Sequence, residues 1–312
     1  MQVLGELDQA PSPCVAAVGN FDGLHLGHQK LLDDMRAEAR RRGLPALVLS
    51  FEPHPARILQ PQSAPPLLTP REEKLRLLQA LGLDAVLLLA FTRDLSLLSP
   101  LEFVERVLVR GLRVAAVFEG ENFRFGHGGQ GDGALLSRLG QEFGFAVSIA
   151  PRLEREGAAV SSSRIRKLVA GGEVAAAARL LGRPFALAGL IAPGRGVGRQ
   201  RTVPTLNLQH YDELLPARGV YLTRAELAAE PWPALTNVGV RPTFGAGGPL
   251  TVETHLLHPP PTGLPAGLGD QLRIAFLERL REERRFASPE ALRQQIQADI
   301  AAAEGYFLND ST

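Results

Sequence analysis

The sequence predicts two domains: an N-terminal α/β domain built on a doubly wound parallel sheet, then a small antiparallel β barrel with a C-terminal helix. Three observations point there. Over the first 150 residues, apolar runs of strand length alternate with amphipathic stretches of helix length, the pattern of strands buried on both faces and joined by helices. Beyond residue 184 the pattern changes to alternating stretches punctuated by Gly and Pro, with a single helical pattern near the end, as in closed antiparallel sheets. Finally, a chain of 312 residues exceeds what one hydrophobic core usually serves.

The buried strands are expected at 14–19, 44–51, 83–91, 113–120 and 145–151, and the helices between them at 27–42, 70–81, 100–111 and 132–143. A short helix, 164–170, is closed by Gly171 and Gly172, and a second, 173–181, ends at Gly182, because glycine accepts the left-handed backbone that terminates helices. Gly182-Arg183-Pro184 therefore marks the boundary, giving domains 1–182 and 183–312. Barrel strands are expected at 186–192, 205–209, 219–225, 234–239, 250–257 and 271–277, the last helix at 288–304, and a long loop at 258–270.

Composition narrows the function classes. With 34 basic and 33 acidic residues the net charge is +1, so no global field recruits nucleic acid or an acidic membrane. The N-terminal MQVLGELDQAPSP carries acids and prolines instead of a basic stretch and apolar core, unlike a secretory signal. The longest apolar run, Ala85 to Phe91, is far below the roughly 20 residues that span a bilayer. The one cysteine, Cys14, excludes an internal disulfide and a thiolate metal cluster. A soluble, cytoplasmic protein is expected, and nothing fixes its oligomeric state.

The first candidate site is GNFDGLHLGH, residues 19–28. A strand would end at Val18, and Gly19, Asn20, Phe21, Asp22 and Gly23 would form a tight turn into a helix. That geometry aims helix N-terminal N–H groups at an anion above the sheet edge. His25 and His28, three residues apart, share one helix face and can reach the same phosphate, where imidazoles donate hydrogen bonds to developing charge. The same spacing also suits a metal or a plain helix surface, although no nearby third ligand supports a metal. In SSSRIR, 161–166, Ser162 and Ser163 either cap a helix or join Arg166 in binding phosphate. The glycine-dense loop 120–133 offers Asn122, Phe123 and Phe125 as a wall over a planar ligand, with core packing as the alternative for the phenylalanines. His54, after a strand end, is either a ligand contact or a turn residue.

The second candidate site is APGRGVGRQRTVPTLNL, 192–208, a basic loop containing Gly194, Gly198 and Arg199 that runs into a strand. Thr205 and Asn207 alternate by two and so face one side. Their neutral oxygens suit a Mg²⁺ ion brought in by nucleotide phosphates. Glu253, in TVETH, could orient a hydroxyl and accept its proton, or be an outward barrel carboxylate. Asn237 adds a polar group in NVGVRPTF, and Arg281 lies near the last helix, where it could equally pair on the surface.

Taken in order, GNFDGLHLGH, FEPHP, GENFRFG, SSSRIR, PTLN, GVY, NVGVRPTF and LREERRF resemble the bacterial bifunctional riboflavin kinase/FMN adenylyltransferases, or FAD synthetases, over nearly the whole chain. The resemblance implies a Rossmann-like nucleotidyltransferase domain followed by a β-barrel riboflavin kinase domain. It implies two reactions: riboflavin and ATP give FMN and ADP in the barrel, then FMN and ATP give FAD and pyrophosphate in the α/β domain. The implied partners are riboflavin, FMN, FAD and ATP, with Mg²⁺ accompanying ATP and the flavins as substrate and product. By the same resemblance His25 and His28 stabilise the adenylyl transition state and Asn20 helps bind phosphate. Asn122, Ser162, Ser163 and Arg166 bind ATP or FMN, and His54, Phe123, Phe125 and Arg281 count among the flavin-binding residues. Thr205 and Asn207 hold Mg-ATP, and Glu253 is the base on the ribityl alcohol. This chain reads RTVPTLN where relatives commonly read LGFPTAN. An alternative is an FMN adenylyltransferase alone, its barrel binding or regulating with flavin; a cytidylyl- or pantetheine-type transferase is a third reading.

Overall fold

A computed structural model describes residues 1–192, 205–209, 213–240, 250–259, 267 and 269–310. The chain divides into two compact units, Met1–Ser162 and Ser163–Thr312. The division falls ahead of the expected boundary at 182/183. The helix Val174–Leu181 packs against barrel strands and buries Val174, Ala177, Leu180 and Leu181, so it counts with the second unit.

In the first unit, strands β1 (Gln2–Leu4), β2 (Val15–Val18), β3 (Ala46–Glu52), β4 (Ala85–Ala90), β5 (Ala116–Gly120) and β6 (Ala146–Ala150) form one sheet in the order β1-β4-β3-β2-β5-β6. Every pairing is parallel. Alternate residues of the central strands feed two separate cores. Ala16, Val18, Leu47, Leu49 and Leu87 pack on one face with Phe103, Leu108 and Leu136. Val15, Ala17, Val48 and Val86 pack on the other with Leu31, Leu32 and Met35 of α1 (Leu26–Arg42) and Leu78. Burial on both faces is why these strands read as continuous apolar runs. The remaining helices are α2 (Pro55–Leu59), α3 (Arg71–Ala80), α4 (Arg93–Ser96), α5 (Pro100–Phe103, running on as a π-helical Val104–Gly111) and α6 (Gly133–Phe143). The hairpin β7 (Glu154–Arg155) and β8 (Ala158–Ala159) completes the unit.

The chain lays β3 and β4 on one side of β2, then crosses to lay β5 and β6 on the other. A sheet that switches direction in this way opens a crevice at the strand C-termini. That crevice lies directly above the end of β2, where the GNFDG turn begins.

The second unit opens with α7 (Ser163 onward in Ser162–Ala170) and α8 (Val174–Leu181). Six antiparallel strands follow and close into a barrel, β10-β13-β12-β11-β14-β9, made of β9 (Phe185–Ala192), β10 (Leu206–Leu208), β11 (Gly219–Leu227), β12 (Glu230–Val240), β13 (Leu250–Leu256) and β14 (Gln271–Glu282). Val252, Thr254 and Leu256 are buried while Glu253 and His255 between them are half-buried, as strand alternation requires. Three threonines inside the barrel link hydroxyl to hydroxyl, Thr223 to Thr236 at 2.8 Å and Thr236 to Thr254 at 2.9 Å. Thr223 donates to the Ala234 carbonyl at 3.2 Å, which fixes the direction of the chain: Thr254 donates to Thr236, and Thr236 to Thr223. Outside, α9 (Pro289–Asp310) lays Ala303, Ile300 and Tyr306 over Val220, Leu222 and Leu235.

Candidate active sites

The first site is a turn followed by a helix. Gly19 donates from its backbone to the Leu49 carbonyl at 3.0 Å, carrying the parallel ladder one residue past β2. The chain then reverses through left-handed residues Phe21, Gly23 and Leu24. Such angles are strained for Phe and Leu, and the strain is held by burial: Phe21 and Leu24 are 4% and 2% exposed. Asp22 accepts from the backbone N–H groups of Leu68 and Thr69 and from the Thr69 hydroxyl, at 2.9 to 3.1 Å. Gly23 in turn donates to that hydroxyl at 3.0 Å. Asp22 thus takes a scaffold position, pinning the turn to the segment that starts α3. Asn20, at the crest of the turn, is half-buried.

His25 caps α1, its Nδ1 accepting from the His28 backbone N–H at 3.3 Å. An accepting Nδ1 leaves Nε2 to carry the hydrogen in the neutral ring. The two imidazoles stack, centroids 3.7 Å apart and 13° from parallel, and Phe21 meets His28 edge-on at 5.3 Å. Nδ1 of His28 is buried with no partner. Desolvation, then the positive charge of His25 and of Lys74, holds the His28 pKa well below the usual histidine range. An apolar-walled imidazole with an unused nitrogen is suited to meet an anion.

The structure sorts the other first-site residues. Ser162 donates from its hydroxyl to the Asp22 carbonyl at 2.8 Å, so it belongs with the turn. Ser163 is exposed and Arg166 half-buried on α7, in the second unit. Asn122 follows β5 and accepts from Arg152, whose Nε lies 2.5 Å from Glu121. Phe125 packs in the core, the alternative open for the phenylalanines: at 5% exposed it belongs to the core cluster, and its ring lies so close to Gly131 that a Cβ there would sit 2.6 Å from it. Phe123 stacks on Phe125 at 5.5 Å and packs against the same core from a less buried position. His54 caps α2, accepting from Ala56 N–H at 3.2 Å, the turn role among its two readings.

Three groups escaped the sequence reading. Lys74, on α3, is 5% exposed. Its spacing to Leu77 and Leu78 puts a lysine on the apolar helix face, which was the available signal. Glu119, 2% exposed on β5, accepts from Val18 N–H at 3.1 Å, and burial raises its pKa well above the carboxylate range. Arg152 carries no sequence pattern that would single it out.

The second site is made by strand register. Asn207 on β10 lies directly opposite Glu253 on β13, which lies directly opposite Asn237 on β12. Directly opposed residues project to one face of a sheet. Leu206 and Leu208 are buried in the barrel, so the Asn207–Glu253–Asn237 row faces out, with half-buried Thr205 just before β10 on the same side by alternation. Gly194, Gly198 and Arg199 lie outside the described residues, as do 241–249 and most of 258–270. Arg281 makes the pairing that its sequence position also allowed. Its guanidinium grips Asp299 of α9 with Nε and Nη2, at 3.0 to 3.1 and 2.7 Å, and donates from Nη1 to the Glu282 carbonyl at 3.0 Å. Nε and Nη2 thus hold the helix to the barrel, while Nη1 bonds within β14 itself.

Among the described residues no three His, Cys, Asp or Glu side chains cluster to hold a metal. The Thr205 and Asn207 oxygens fit a Mg²⁺ ion that arrives already bound to phosphates, for which a full protein cage is unnecessary. No helix among the described residues is long and apolar enough to cross a membrane.

Comparison with known proteins agrees with both halves. The FAD synthetase family model matches residues 7–164, and the riboflavin kinase model matches 181–307. A bifunctional riboflavin kinase/FMN adenylyltransferase of Pseudomonas fluorescens is 41% identical over 93% of this chain and 92% of its own. The protein of the same name from Escherichia coli K12 is 38% identical over 96% and 95%. Among solved structures, one described as a macrolide-efflux protein from Streptococcus pneumoniae matches with a TM-score of 0.84 at 27% identity, covering 97% of this chain and 98% of that one. With both models matched in sequence order and identity of this level over more than nine-tenths of each chain, the chain belongs to the bifunctional riboflavin kinase/FMN adenylyltransferase family.

Proposed function

We propose that this chain makes FAD from riboflavin with two molecules of ATP, phosphorylating the vitamin at the barrel and adenylylating the resulting FMN at the sheet crevice. The observation that supports this reading is that each unit brings together its own pair of candidate residues: the stacked His25–His28 pair in one, the Asn207–Glu253 pair in the other. The adenylylating module is taken as 1–182 and the kinase module as 183–312.

In the kinase step the terminal ribityl hydroxyl attacks the γ-phosphorus of ATP, and ADP departs. Glu253 orients that hydroxyl and accepts its proton, an assistance of the kind that contributes about 10² to 10⁴-fold. Thr205 and Asn207 would hold Mg²⁺ delivered on ATP, whose charge would offset that of the phosphates. In the adenylyl step the FMN phosphate attacks the α-phosphorus and pyrophosphate departs. That nucleophile is already an anion, so no base is needed, and His25 and His28 serve by hydrogen bonding to the charge that builds on the α-phosphate. Asn20 lies on the crest of the same turn; Asn122, Ser163 and Arg166 are proposed ligand contacts. The requirement for ATP and free flavin supports a cytoplasmic setting.

Purified protein given riboflavin and MgATP, with products separated by chromatography, tests the reading. FMN followed by FAD is expected. FAD formed only from added FMN would leave an adenylyltransferase with a flavin-binding barrel, and formation of neither product would overturn the reading altogether.

A further inference from the structure

Lys74 lies in a position that folding alone does not explain. It stands in the first turns of α3, just after Leu68 and Thr69, the two residues that Asp22 pins to the GNFDG turn. The residue is 5% exposed. Among the described residues its ammonium makes no ion pair and no hydrogen bond, whereas the neighbouring buried Glu73 is joined to Arg76 by two bonds of 2.8 Å. Drawing an unpaired lysine this far out of water is costly, and charged groups so placed cluster at functional sites. The charges that act on it are Asp22 and Glu52, which favour its protonation without overcoming desolvation, while His28 and Lys74 repel each other. Asp22 is already engaged by the Leu68–Thr69 backbone. Lys74, 5% exposed, and the buried, unpartnered Nδ1 of His28 thus lie beside one turn at the mouth of the crevice.

We propose that Lys74 binds the β- and γ-phosphates of the adenylylating ATP, holding the pyrophosphate as it leaves, while His25 and His28 attend the α-phosphate. This rests on the adenylyl-transfer reading of the crevice. As the Pα–O bond to the β-phosphate breaks, its electron pair and negative charge pass to pyrophosphate, and a fixed ammonium there stabilises the departing anion. A compact point charge suits this role, as a lysine does in other phosphate loops.

The test uses the full-length protein with Lys74→Met and Lys74→Arg. Expected for Lys74→Met is at least about tenfold weaker binding of inorganic pyrophosphate by calorimetry, and a KM for ATP raised about as much in FMN adenylylation. The KM for ATP in riboflavin phosphorylation and the KM for FMN stay as in wild type. Lys74→Arg keeps part of the affinity. The ligand-free Lys74→Met protein melts at the wild-type temperature or above, since a desolvated cation is replaced by an apolar chain of similar length. Pyrophosphate affinity within about twofold of wild type, a loss confined to FMN, or a Lys74→Met protein that melts earlier or fails to fold would each overturn the proposal. Failure of the adenylyl-transfer reading itself shows separately, as wild-type protein that makes no FAD from FMN.

Discussion

The two sites differ in how their residues are brought together. At the sheet crevice, His25 and His28 meet within one helical turn, and the turn preceding them is set by consecutive residues. On the barrel, Asn207 and Glu253 are forty-six residues apart and meet only because β10 and β13 pair in one register. A single-residue slip of that register would turn Glu253 into the barrel interior. The first site is therefore written in local backbone geometry, the second in sheet topology, and they should fail differently.

The largest expected effect is on the register-built site. Glu253→Ala should lower FMN formation by about 10² to 10⁴-fold with FMN adenylylation retained. A rate within about threefold of wild type would show that Glu253 is an ordinary outward carboxylate. His28→Ala should lower FMN adenylylation by about 10² to 10³-fold and spare FMN formation. Parallel loss of both activities in either variant would collapse the distinction between the sites.

Next in size is the brace on the barrel. Asp299→Ala leaves the Arg281 guanidinium without its partner beside the half of the barrel that α9 covers, and should cost about 3 kcal/mol of stability by denaturant titration. The Asp299→Leu/Arg281→Met pair should recover much of it, as replacement of a buried ion pair by apolar groups often does. Full stability in Asp299→Ala would show that this pair does not brace the barrel.

The smallest expected effect sits where β2 and β5 part. Glu119 has its pKa raised by burial, so above the unfolded value of roughly 4.3 the unfolded chain ionises first and stability falls as pH rises toward the folded pKa. Glu119→Gln keeps an acceptor for Val18 N–H and removes that penalty. Its Tm should exceed wild type at pH 7, and the two should converge near pH 4. A Tm difference that does not vary with pH would contradict the assignment of a neutral buried carboxyl.

The same contrast explains what the sequence made legible. The five long strands of the α/β unit and the helices between them lie within a few residues of the expected spans, because burial on both faces writes a strong signal. The three-residue β1 and two-residue β7 and β8 carry too few side chains for any period to show. The histidine pair was readable because both members share one motif. Asp22 and Arg281 were read by type alone, and their partners, at Leu68–Thr69 and Asp299, lie too far along the chain to be foreseen. Lys74 was visible only as a charge on an apolar helix face, a pattern that gains meaning once α3 is seen to start at the phosphate turn.

The central claim is that the two chemistries reside in separate constellations, each sufficient for its own step. Mixing the His28→Ala and Glu253→Ala proteins tests it most directly. With riboflavin and MgATP neither protein alone should form FAD, whereas the mixture should, because FMN released by the first is adenylylated by the second. A mixture that forms no FAD, with each protein retaining its one expected activity, would contradict the account.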